Sequence, residues 1–219
     1  LDRIEVMAKP TVELDCSFSF PYLELNSKDM LIVKDLKVGY TRQLIPDVSF
    51  HMGSTTKLWI RGTNGVGKTT LIKTLLHKIP LLGGSFQFHV AAKIGYIEQD
   101  LTFDNKNLTA YQCYLDRFPR SSQKEVRAAL AKVGLLGELA VKPIANLSGG
   151  EMMRLKLAVL ANTPSNMLIL DEPTNHLDVK AKKALKEAIA AYDGAVILVT
   201  HEPDFAEGLC DTVFDAKSK

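Results

Sequence analysis

The sequence is poor in cysteine and contains no long apolar run. The three cysteines are widely spaced and lack a CxxC or Cys/His pairing that would indicate a metal site or a redox motif; they are Cys16, Cys113 and Cys210. No run approaches the roughly 20 apolar residues of a transmembrane helix, and residues 1–5 lack the apolar core of a signal peptide. We therefore expect reduced, mostly buried thiols, no direct insertion into a membrane and a cytoplasmic location.

Neither sign of charge is in clear excess. The 27 Lys and Arg residues nearly balance the 25 Asp and Glu residues, so composition implies no general surface for polyanions and leaves only a local basic patch open. With 219 residues, 46% of them apolar, the chain suits one globular domain or one domain with a subdomain. It begins with Leu1, so we expect a fragment of a longer polypeptide, although trimming of a complete protein would look the same.

The N-terminal part predicts a linker followed by antiparallel strands. Residues 1–29 are polar and mixed, but apolar residues alternate from Cys16 to Phe20 and stop at Pro21. This pattern predicts the end of a linker and an edge strand. Two further alternating segments within residues 30–52 are separated by a turn-prone Pro-Asp pair and predict a small antiparallel β region.

The remaining chain predicts an α/β domain over residues 30–219. About residues 105–163 are mainly helical in pattern and predict an α-helical subdomain. Two apolar runs, residues 167–170 and 195–199, flank a helical stretch as buried parallel strands of a βαβ unit do. We therefore expect a mostly parallel core sheet, an N-terminal antiparallel β region and a helical subdomain.

The strongest motif lies between a predicted strand and a predicted helix. It matches GxxxxGK[ST], the pattern of a phosphate loop; its residues are Gly62, Thr63, Asn64, Gly65, Val66, Gly67, Lys68, Thr69 and Thr70. The glycines let backbone N–H groups and the helix N-terminus approach an anion. Lys68 would hold the β and γ phosphates, and Thr69 would complete the coordination of Mg²⁺. A simple strand-to-helix turn would not need every fixed position, so the expected fold class is a P-loop NTPase.

A second motif is a pair of carboxylates after the apolar run at residues 167–170. Asp171 and Glu172 are expensive to place there unless they meet cations or donors. We expect Asp171 to hold Mg²⁺, commonly through water. Glu172, pointing the other way because side chains alternate, would orient and polarise the attacking water. Alone, the pair could simply start a turn at Pro173, but the phosphate loop upstream disfavours that interpretation.

A third motif, LSGGE at residues 147–151, precedes a helical run. Ser148 and Glu151 form a capping box, which is a purely structural explanation. Two glycines in the first turn, however, weaken a helix by roughly 1 kcal/mol each relative to alanine, so local stability does not explain Gly149 and Gly150. A bare helix start with a serine hydroxyl suits an anion. Because the phosphate loop already serves one nucleotide, this second anion would belong to a partner domain.

The order of these motifs resembles the nucleotide-binding domain of an ABC ATPase, from Tyr40 to His201. In that family an aromatic residue stacks on adenine, and Tyr40 stands at the matching place. Gln99 resembles the glutamine that senses Mg²⁺ and joins the helical subdomain. His201 resembles the switch histidine at the γ phosphate, and Asp178 resembles the aspartate that communicates across the dimer. Each would mean little alone. Together the resemblance implies ATP as ligand, Mg²⁺ as cofactor, and Lys68, Glu172 and His201 as catalytic residues.

The EPTNHLD sequence at residues 172–178 and the glutamate of LSGGE are similar to the ABC-F group of soluble, tandem-domain ATPases that act on ribosomes. Residues 1–10 and 18–21 resemble the end of the linker between the two domains of that group and the start of the second one. Roughly 50 residues separate Gln99 from Ser148, too few for the inserted arm that the first domain often carries. The second, C-terminal domain fits better. One departure is Glu202-Pro203 after the histidine, where the group more usually has Asp-Arg.

The resemblance implies that two such domains close on two ATP molecules, each held by one phosphate loop and the partner's LSGGE. The partner would be a second ABC ATPase domain, in the same polypeptide or in a homodimer. The full-length protein would bind the ribosome and serve translation or antibiotic resistance. The alternative is the ATP-binding subunit of an ABC membrane transporter. A DNA-acting ATPase is a weaker alternative, because this sequence lacks the long coiled-coil insertion that such proteins need.

Overall fold

A computed structural model describes residues 16–100 and 103–217. Most of the predicted linker end, residues 1–15, lies outside the described residues. The edge strand predicted from Cys16 to Pro21 is wrong, because this segment has no regular secondary structure and only the adjacent Tyr22 makes an isolated bridge.

The segment from Cys16 to Tyr22 is held against the domain by side-chain packing and not by strand pairing. Phe20 and Tyr22 set their rings edge-on to Tyr192, with centroids 6.3 and 5.8 Å away, a favourable geometry for aromatic pairs. The alternation of apolar residues therefore reflects contact with the domain and not a sheet edge. The three cysteines form no disulfide and are half-buried, somewhat less than expected.

The described residues form eight strands in two sheets. The strands are β1 (Leu31–Lys37), β2 (Val48–Met52), β3 (Lys57–Arg61), β4 (Gly83–Phe88), β5 (Ile94–Ile97), β6 (Met167–Asp171), β7 (Ala195–Val199) and β8 (Thr212–Asp215). The first sheet has the order β2-β1-β4 and is antiparallel. Its β1 and β2 agree with the sequence prediction, whereas β4, a half-buried strand that begins with two glycines, had been missed.

The second sheet is parallel throughout, with the order β5-β6-β7-β3-β8. Every residue of β6 and β7 is buried. These strands lie in the middle of the sheet with helices on both faces, which is why their sequences are continuous apolar runs without alternation.

Seven α-helices connect and cover the sheets within the described residues. They are α1 (Lys68–Leu75), α2 (Ala110–Arg117), α3 (Gln123–Lys132), α4 (Glu138–Val141), α5 (Gly149–Leu160), α6 (Val179–Ala190) and α7 (Pro203–Ala206), with a short 3₁₀ helix at Ile144–Asn146. Capping boxes open α2, α3 and α5, where Thr109, Ser122 and Ser148 each accept the backbone N–H three residues on. Thus α2 to α5 occupy the region for which the sequence predicted a helical subdomain.

Three apolar clusters organise the interior. One lies between the antiparallel sheet, α1 and one face of the parallel sheet; the second joins the other face to α5, α6 and α7; the third lies among α2 to α5. The predicted fold class, an α/β P-loop NTPase with these three parts, is confirmed. No helix in the described part of the chain has the length and apolar character needed to cross a membrane.

Candidate functional site

Four neighbouring strands deliver the candidate residues to one edge of the parallel sheet. The phosphate loop, residues 62–70, follows β3; His201 follows β7; Asp171 ends β6 and Glu172 comes next; Gln99 follows β5. Because the strands are parallel and adjacent in the order β5-β6-β7-β3, their carboxyl ends meet at the same edge. Tertiary structure thus brings together segments that are more than 100 residues apart.

The phosphate loop depends on its glycines. Gly62, Gly65 and Gly67 have φ of 155°, 78° and 119°, in the region that favours glycine. A Cβ on Gly62 would lie 2.4 Å from the carbonyl oxygen of Ala216, so close approach forbids a side chain there as well. Gly67 precedes α1 without any side-chain cap, which leaves the first backbone N–H groups of α1 available to an anion.

Lys68 folds back over the loop. Its Nζ donates hydrogen bonds to the carbonyl oxygens of Gly62 at 2.8 Å and Thr63 at 3.1 Å, and the residue is only 6% exposed. The neighbouring Val66 and Thr70 are also buried, whereas Asn64 and Gly65 are exposed at the tip of the loop. The loop is therefore anchored at its base and open at its tip, with one ammonium group held beside the backbone.

A potential cation site lies between β5, α1 and β6. Thr69 Oγ1 donates to Gln99 Oε1 at 2.9 Å. Asp171 is fully buried, and neither carboxylate oxygen has a hydrogen-bond partner among the described residues, since the single proton of the Thr69 hydroxyl is used by Gln99. Oxygen ligands of this kind are those that Mg²⁺ prefers. The orphaned oxygens and the adjacent Thr69–Gln99 pair therefore fit a Mg²⁺ site completed by water and phosphate.

The surroundings of Asp171 change its titration. Burial raises its pKa to about 6, and the neighbouring Glu172 carboxylate acts in the same direction. The ammonium groups of Lys68 and Lys73 oppose this rise. Without a bound cation, the folded chain thus disfavours the charge on Asp171. The described residues include no group of three or more His, Cys, Asp or Glu that could hold a metal ion.

Glu172 and His201 form the candidate catalytic pair. The distance between Glu172 Oε2 and His201 Nδ1 is 2.8 Å, and the backbone N–H of His201 lies 3.4 Å from the same oxygen. Glu172 is 4% exposed, whereas the imidazole is about half exposed. Among the described residues no donor bonds Glu172 Oε1, so this oxygen is left to accept a hydrogen bond from a ligand or water.

The backbone of Glu172 explains its direction. The sequence predicted that alternation along the strand would turn Glu172 away from Asp171, but β6 ends at Asp171 and Glu172 has a φ of 52°. A left-handed conformation is strained for a residue with a side chain, and such strain collects at functional sites. The left-handed turn, fixed by the N–H of Glu172 donating to Val199 at 2.9 Å, sends the side chain toward His201.

Gln99 lies between two anchored acidic residues. Glu98 pairs with Lys78 at 3.3 Å and Lys156 at 3.4 Å, and Asp100 pairs with Lys73 at 3.7 Å. Partial burial would raise the pKa of Glu98, but the two lysines outweigh it and lower the pKa below its usual range. Lys156 of α5 also donates to the backbone oxygen of Asp100 at 2.7 Å. Sequence reasoning missed these lysines, because no local signal pairs residues so far apart.

The LSGGE motif begins α5 as predicted, but its glycines have a reason that the sequence did not reveal. A Cβ on Gly150 would lie 2.6 Å from the carbonyl oxygen of His176, and one on Gly149 would lie 2.9 Å from the His176 ring. Helix stability does not explain these glycines, as the sequence indicated, but the loop after β6 packs directly on them and gives them a role inside the chain. Ser148 itself is exposed, and its hydroxyl accepts from Glu151 N at 3.2 Å.

Asp178 and Tyr40 lie apart from the catalytic pair. Asp178 caps α6, where Oδ1 accepts from Ala181 N at 2.8 Å and Oδ2 bonds Arg154 of α5. The hydrogen bond from the Ala181 backbone, with the Arg154 charge, lowers the pKa of Asp178 despite partial burial.

Tyr40 lies in the loop between β1 and β2 and is 64% exposed, so it is not the core aromatic that a strand position would suggest. A cavity of about 660 Å³ beside Glu98 and Lys156 includes no phosphate-loop residue.

Comparison with known proteins identifies the type of domain. Residues 45–175 match the family model described as ABC transporter. The chain is 39% identical over its full length to the ABC transporter ATP-binding protein YfmM of Bacillus subtilis, of which it spans 41%. It is 34% identical over 88% of its length to mouse ATP-binding cassette sub-family F member 3, of which it spans 26%. The chain thus spans less than half the length of these curated relatives.

A solved structure has the same fold. A bacterial Atm1-family ABC exporter with ATP bound superposes with a TM-score of 0.74, covering 95% of this chain and 40% of the exporter at 22% identity. The similarity to the ABC-F group that the sequence motifs indicated is also confirmed by the sub-family F relative.

Proposed function

The chain belongs to the ABC transporter family, whose ATP-binding domain it contains, and we propose that it hydrolyses ATP to ADP and phosphate after pairing with a second domain of its kind. The observation that carries this proposal is the 2.8 Å contact between Glu172 Oε2 and His201 Nδ1, at the sheet edge where the phosphate loop also begins. A buried carboxylate beside a phosphate-binding loop, with one oxygen that accepts no hydrogen bond from the described residues, is suited to activate water for attack on a phosphoryl group.

The phosphate loop would bind the triphosphate. Its backbone N–H groups and the uncapped start of α1 would face the phosphate oxygens. Lys68 would exchange its two carbonyl partners for the β and γ phosphates, which its position over the loop supports. Tyr40, exposed next to the antiparallel sheet, would stack on adenine.

We assign Thr69, Gln99 and Asp171 to the Mg²⁺ site, with Asp171 acting through water. Bound Mg²⁺ would neutralise charge on the β and γ phosphate oxygens. Through water, the bound ion would then supply the hydrogen-bond partners that the buried Asp171 carboxylate oxygens lack among the described residues. Gln99 would report the occupancy of the site to α5, since its neighbours Glu98 and Asp100 both bond Lys156.

In the chemical step, the oxygen of water would bond the γ phosphorus while the bond from that phosphorus to the ADP oxygen breaks. Glu172 would orient the water and accept its proton. His201, held on Glu172 Oε2, would contact the γ phosphate with its exposed imidazole. Lys68 and a partner's Ser148 would stabilise the charge of the transition state.

The second domain would cover the open side of the site. Ser148 and Asp178 are exposed, and Gly149 and Gly150 leave the start of α5 without side chains. In a symmetric pair Ser148, Gly149 and Gly150 of one domain would lie against the γ phosphate on the other, and Asp178 would communicate across the dimer. The isolated chain would therefore hydrolyse ATP slowly.

The test is the replacement Glu172→Gln, which removes the proton acceptor and keeps the shape. We expect turnover to fall about 1,000-fold with ATP binding retained, and ATP-dependent dimers to accumulate in light scattering. Glu187→Gln, on the exposed face of α6, serves as the matched control with unchanged turnover. Turnover of Glu172→Gln equal to that of the unmodified chain would remove Glu172 from the role of base.

For the full-length protein we propose a cytoplasmic ABC-F factor that acts on the ribosome in translation or antibiotic resistance, with this chain as its second ATPase domain. The name of the mouse relative and the motif at residues 172–178 support this assignment. Cosedimentation tests it: the full-length protein carrying Glu172→Gln should pellet with ribosomes when ATP is present and stay in the supernatant without ATP.

A transporter subunit is the second candidate, because the name of the Bacillus subtilis relative contains ABC transporter. In that case the full-length protein would not pellet with ribosomes. It would instead gain ATPase activity when reconstituted with membrane-spanning partner subunits. The same motor residues would operate in both cases, so the two experiments on the full-length protein decide between the candidates.

A further inference from the structure

Lys182 and Glu202 form the best-defined ion pair near the candidate catalytic residues. Lys182 Nζ lies 2.8 Å from each carboxylate oxygen of Glu202, and both side chains are about 30% exposed, at 32% and 29%. A partly buried ion pair with two hydrogen bonds fixes its partners better than a single contact between exposed side chains.

Other contacts hold Glu202 as well. Its backbone N–H donates to Thr200 Oγ1 at 3.1 Å. Partial burial would raise the pKa of Glu202, but the hydrogen bonds and charge of Lys182 outweigh burial and lower the pKa below its ordinary value. The carboxylate therefore carries its charge at neutral pH and keeps Lys182 as its counter-ion.

His201 stands between two anchored residues. On one side the carbonyl oxygen of Thr200 accepts a buried hydrogen bond from the indole of Trp59 at 3.1 Å. On the other side Glu202 is held by Lys182. The imidazole itself is about half exposed, so its contact with Glu172 depends on how firmly these flanking residues hold the backbone.

The same pair reaches toward α5. Lys182 lies one turn into α6, and its backbone N–H donates to the carbonyl oxygen of Asp178 at 2.9 Å. Asp178 in turn bonds Arg154 of α5, the helix that begins at Ser148. A continuous set of contacts therefore runs from α5 through the start of α6 to the residue after His201.

We propose that Lys182 and Glu202 are positioning residues that hold His201 against Glu172 and fix this pair relative to the start of α6. The proposal rests on the assignment of Glu172 and His201 to ATP hydrolysis. It gives a function to Glu202. Glu202 and Pro203 stand where the resembled group more usually has an Asp-Arg pair after the histidine. Neither Lys182 nor Glu202 is assigned a contact with ATP.

The test is Lys182→Ala in the ATPase assay. We expect kcat to fall about tenfold because the reacting geometry loosens, while the KM for ATP stays within about twofold. Lys183→Ala is the matched control, since Lys183 is 80% exposed on the same helix and should leave both constants unchanged. Lys182→Arg should restore most of kcat, because a guanidinium can bond both oxygens of Glu202.

Hydrogen–deuterium exchange of residues 200–205, measured without nucleotide, reports how firmly the backbone around His201 is held and does not depend on ATPase activity. Exchange should be faster in Lys182→Ala and unchanged in Lys183→Ala. If the full-length protein without substitutions had no ATPase activity, the proposed function would fail, while the exchange experiment would still decide whether Lys182 holds the backbone around His201.

Unchanged kcat and unchanged exchange in Lys182→Ala would overturn the proposal. A fall in kcat that Lys182→Arg does not restore would also count against it, since the bidentate contact would then not be the cause. If Lys182→Ala loses cooperative thermal unfolding, Glu202→Gln carries the test, because it keeps the shape and removes the charge. It should lower kcat and leave KM unchanged, and unchanged kcat would refute the proposal.

Discussion

At the scale of single residues, the candidate site contains groups that the fold stabilises poorly without ligand. Asp171 is fully buried with no hydrogen-bond partner for its carboxylate oxygens among the described residues. Glu172, directly after it, has a left-handed backbone at a φ of 52°. Each feature costs free energy. Such costs are expected where a cation and a triphosphate would supply the missing partners.

The pKa of Asp171 leads to a prediction about stability without Mg²⁺. The folded-state pKa of about 6 lies above the ordinary value of 3.8. Below pH 3.8 the Asp171 carboxyl is protonated in both the folded and the unfolded chain, so its ionisation does not change the free energy of unfolding. As the pH rises from 3.8 to about 6, the Asp171 carboxyl ionises in the unfolded chain but stays protonated in the folded chain. Folding therefore becomes less favourable until the pH exceeds the folded-state pKa. Asp171 therefore destabilises the Mg²⁺-free protein at neutral pH and not in acid.

Asp171→Asn removes this titration. We expect the stability of the variant relative to the unmodified chain to increase by about 2 kcal/mol between about pH 4 and about pH 7, measured by urea unfolding with EDTA present. Comparing the two pH values cancels the constant effect of burying an amide. A stability difference that does not change with pH would show that Asp171 has an ordinary pKa in the folded chain.

At the scale of elements, the N-terminal end of α5 must satisfy two requirements. Its first turn must lie close to the loop after β6, and its start must stay open to an outside ligand if the proposed pairing is correct. The carbonyl oxygen of His176, a residue with a φ of 66°, lies where a side chain on Gly150 would go. Glycine therefore serves packing inside the chain, whatever else it permits.

Gly150→Ala tests this packing. Helix propensity alone predicts a gain of roughly 1 kcal/mol from alanine, but the new Cβ would meet backbone that cannot rotate away. We expect a net loss of about 1 to 2 kcal/mol in thermal or urea unfolding. Gly149→Ala is the matched comparison, because its Cβ would meet the exposed His176 side chain, which can change rotamer. Equal effects of the two substitutions would contradict the backbone contact.

At the scale of the whole molecule, α5 joins two parts of the fold. Met153, Leu157 and Leu160 pack in the cluster beneath the parallel sheet, whereas Leu155 and Ala158 pack among the subdomain helices. Lys156, between them, bonds the segment around Gln99. Lys156 therefore links the Gln99 segment to the helix that begins after Ser148 and packs in the helical subdomain.

Ser148→Ala separates the role of capping from the proposed role across the pair. Loss of either capping serine should cost about 1 kcal/mol of stability, so Ser122→Ala on α3 is a matched control. Only Ser148→Ala should lower turnover, by about 100-fold. ATP affinity of the isolated chain, measured by calorimetry, should change in neither variant, since Ser148 would contact the partner's nucleotide. A drop in turnover of similar size in Ser122→Ala would assign the effect to stability alone.

The sequence by itself determined the phosphate loop, the carboxylates after β6, the capping box of Ser148 and Glu151, the helical pattern of the subdomain and the two continuous apolar runs that form β6 and β7. Each is a short-range pattern in which neighbouring residues specify their own backbone or their own chemistry. β4 was missed because its glycines weaken the strand signal, and the segment after Cys16 was misjudged because alternation marks burial on one side as well as strand pairing. The phosphate loop, the LSGGE motif and the carboxylates after β6 are the motifs whose order carries the resemblance to an ABC ATPase.

Only the tertiary structure decided the strand order β5-β6-β7-β3, which places the separate motifs at one edge. It also decided the contacts of Lys156 with Glu98, of His176 with the glycines of α5, and of Lys182 with Glu202. These partners are between 20 and 58 residues apart in the chain. Their contacts depend on how whole elements pack, and no local pattern of residues encodes that distance.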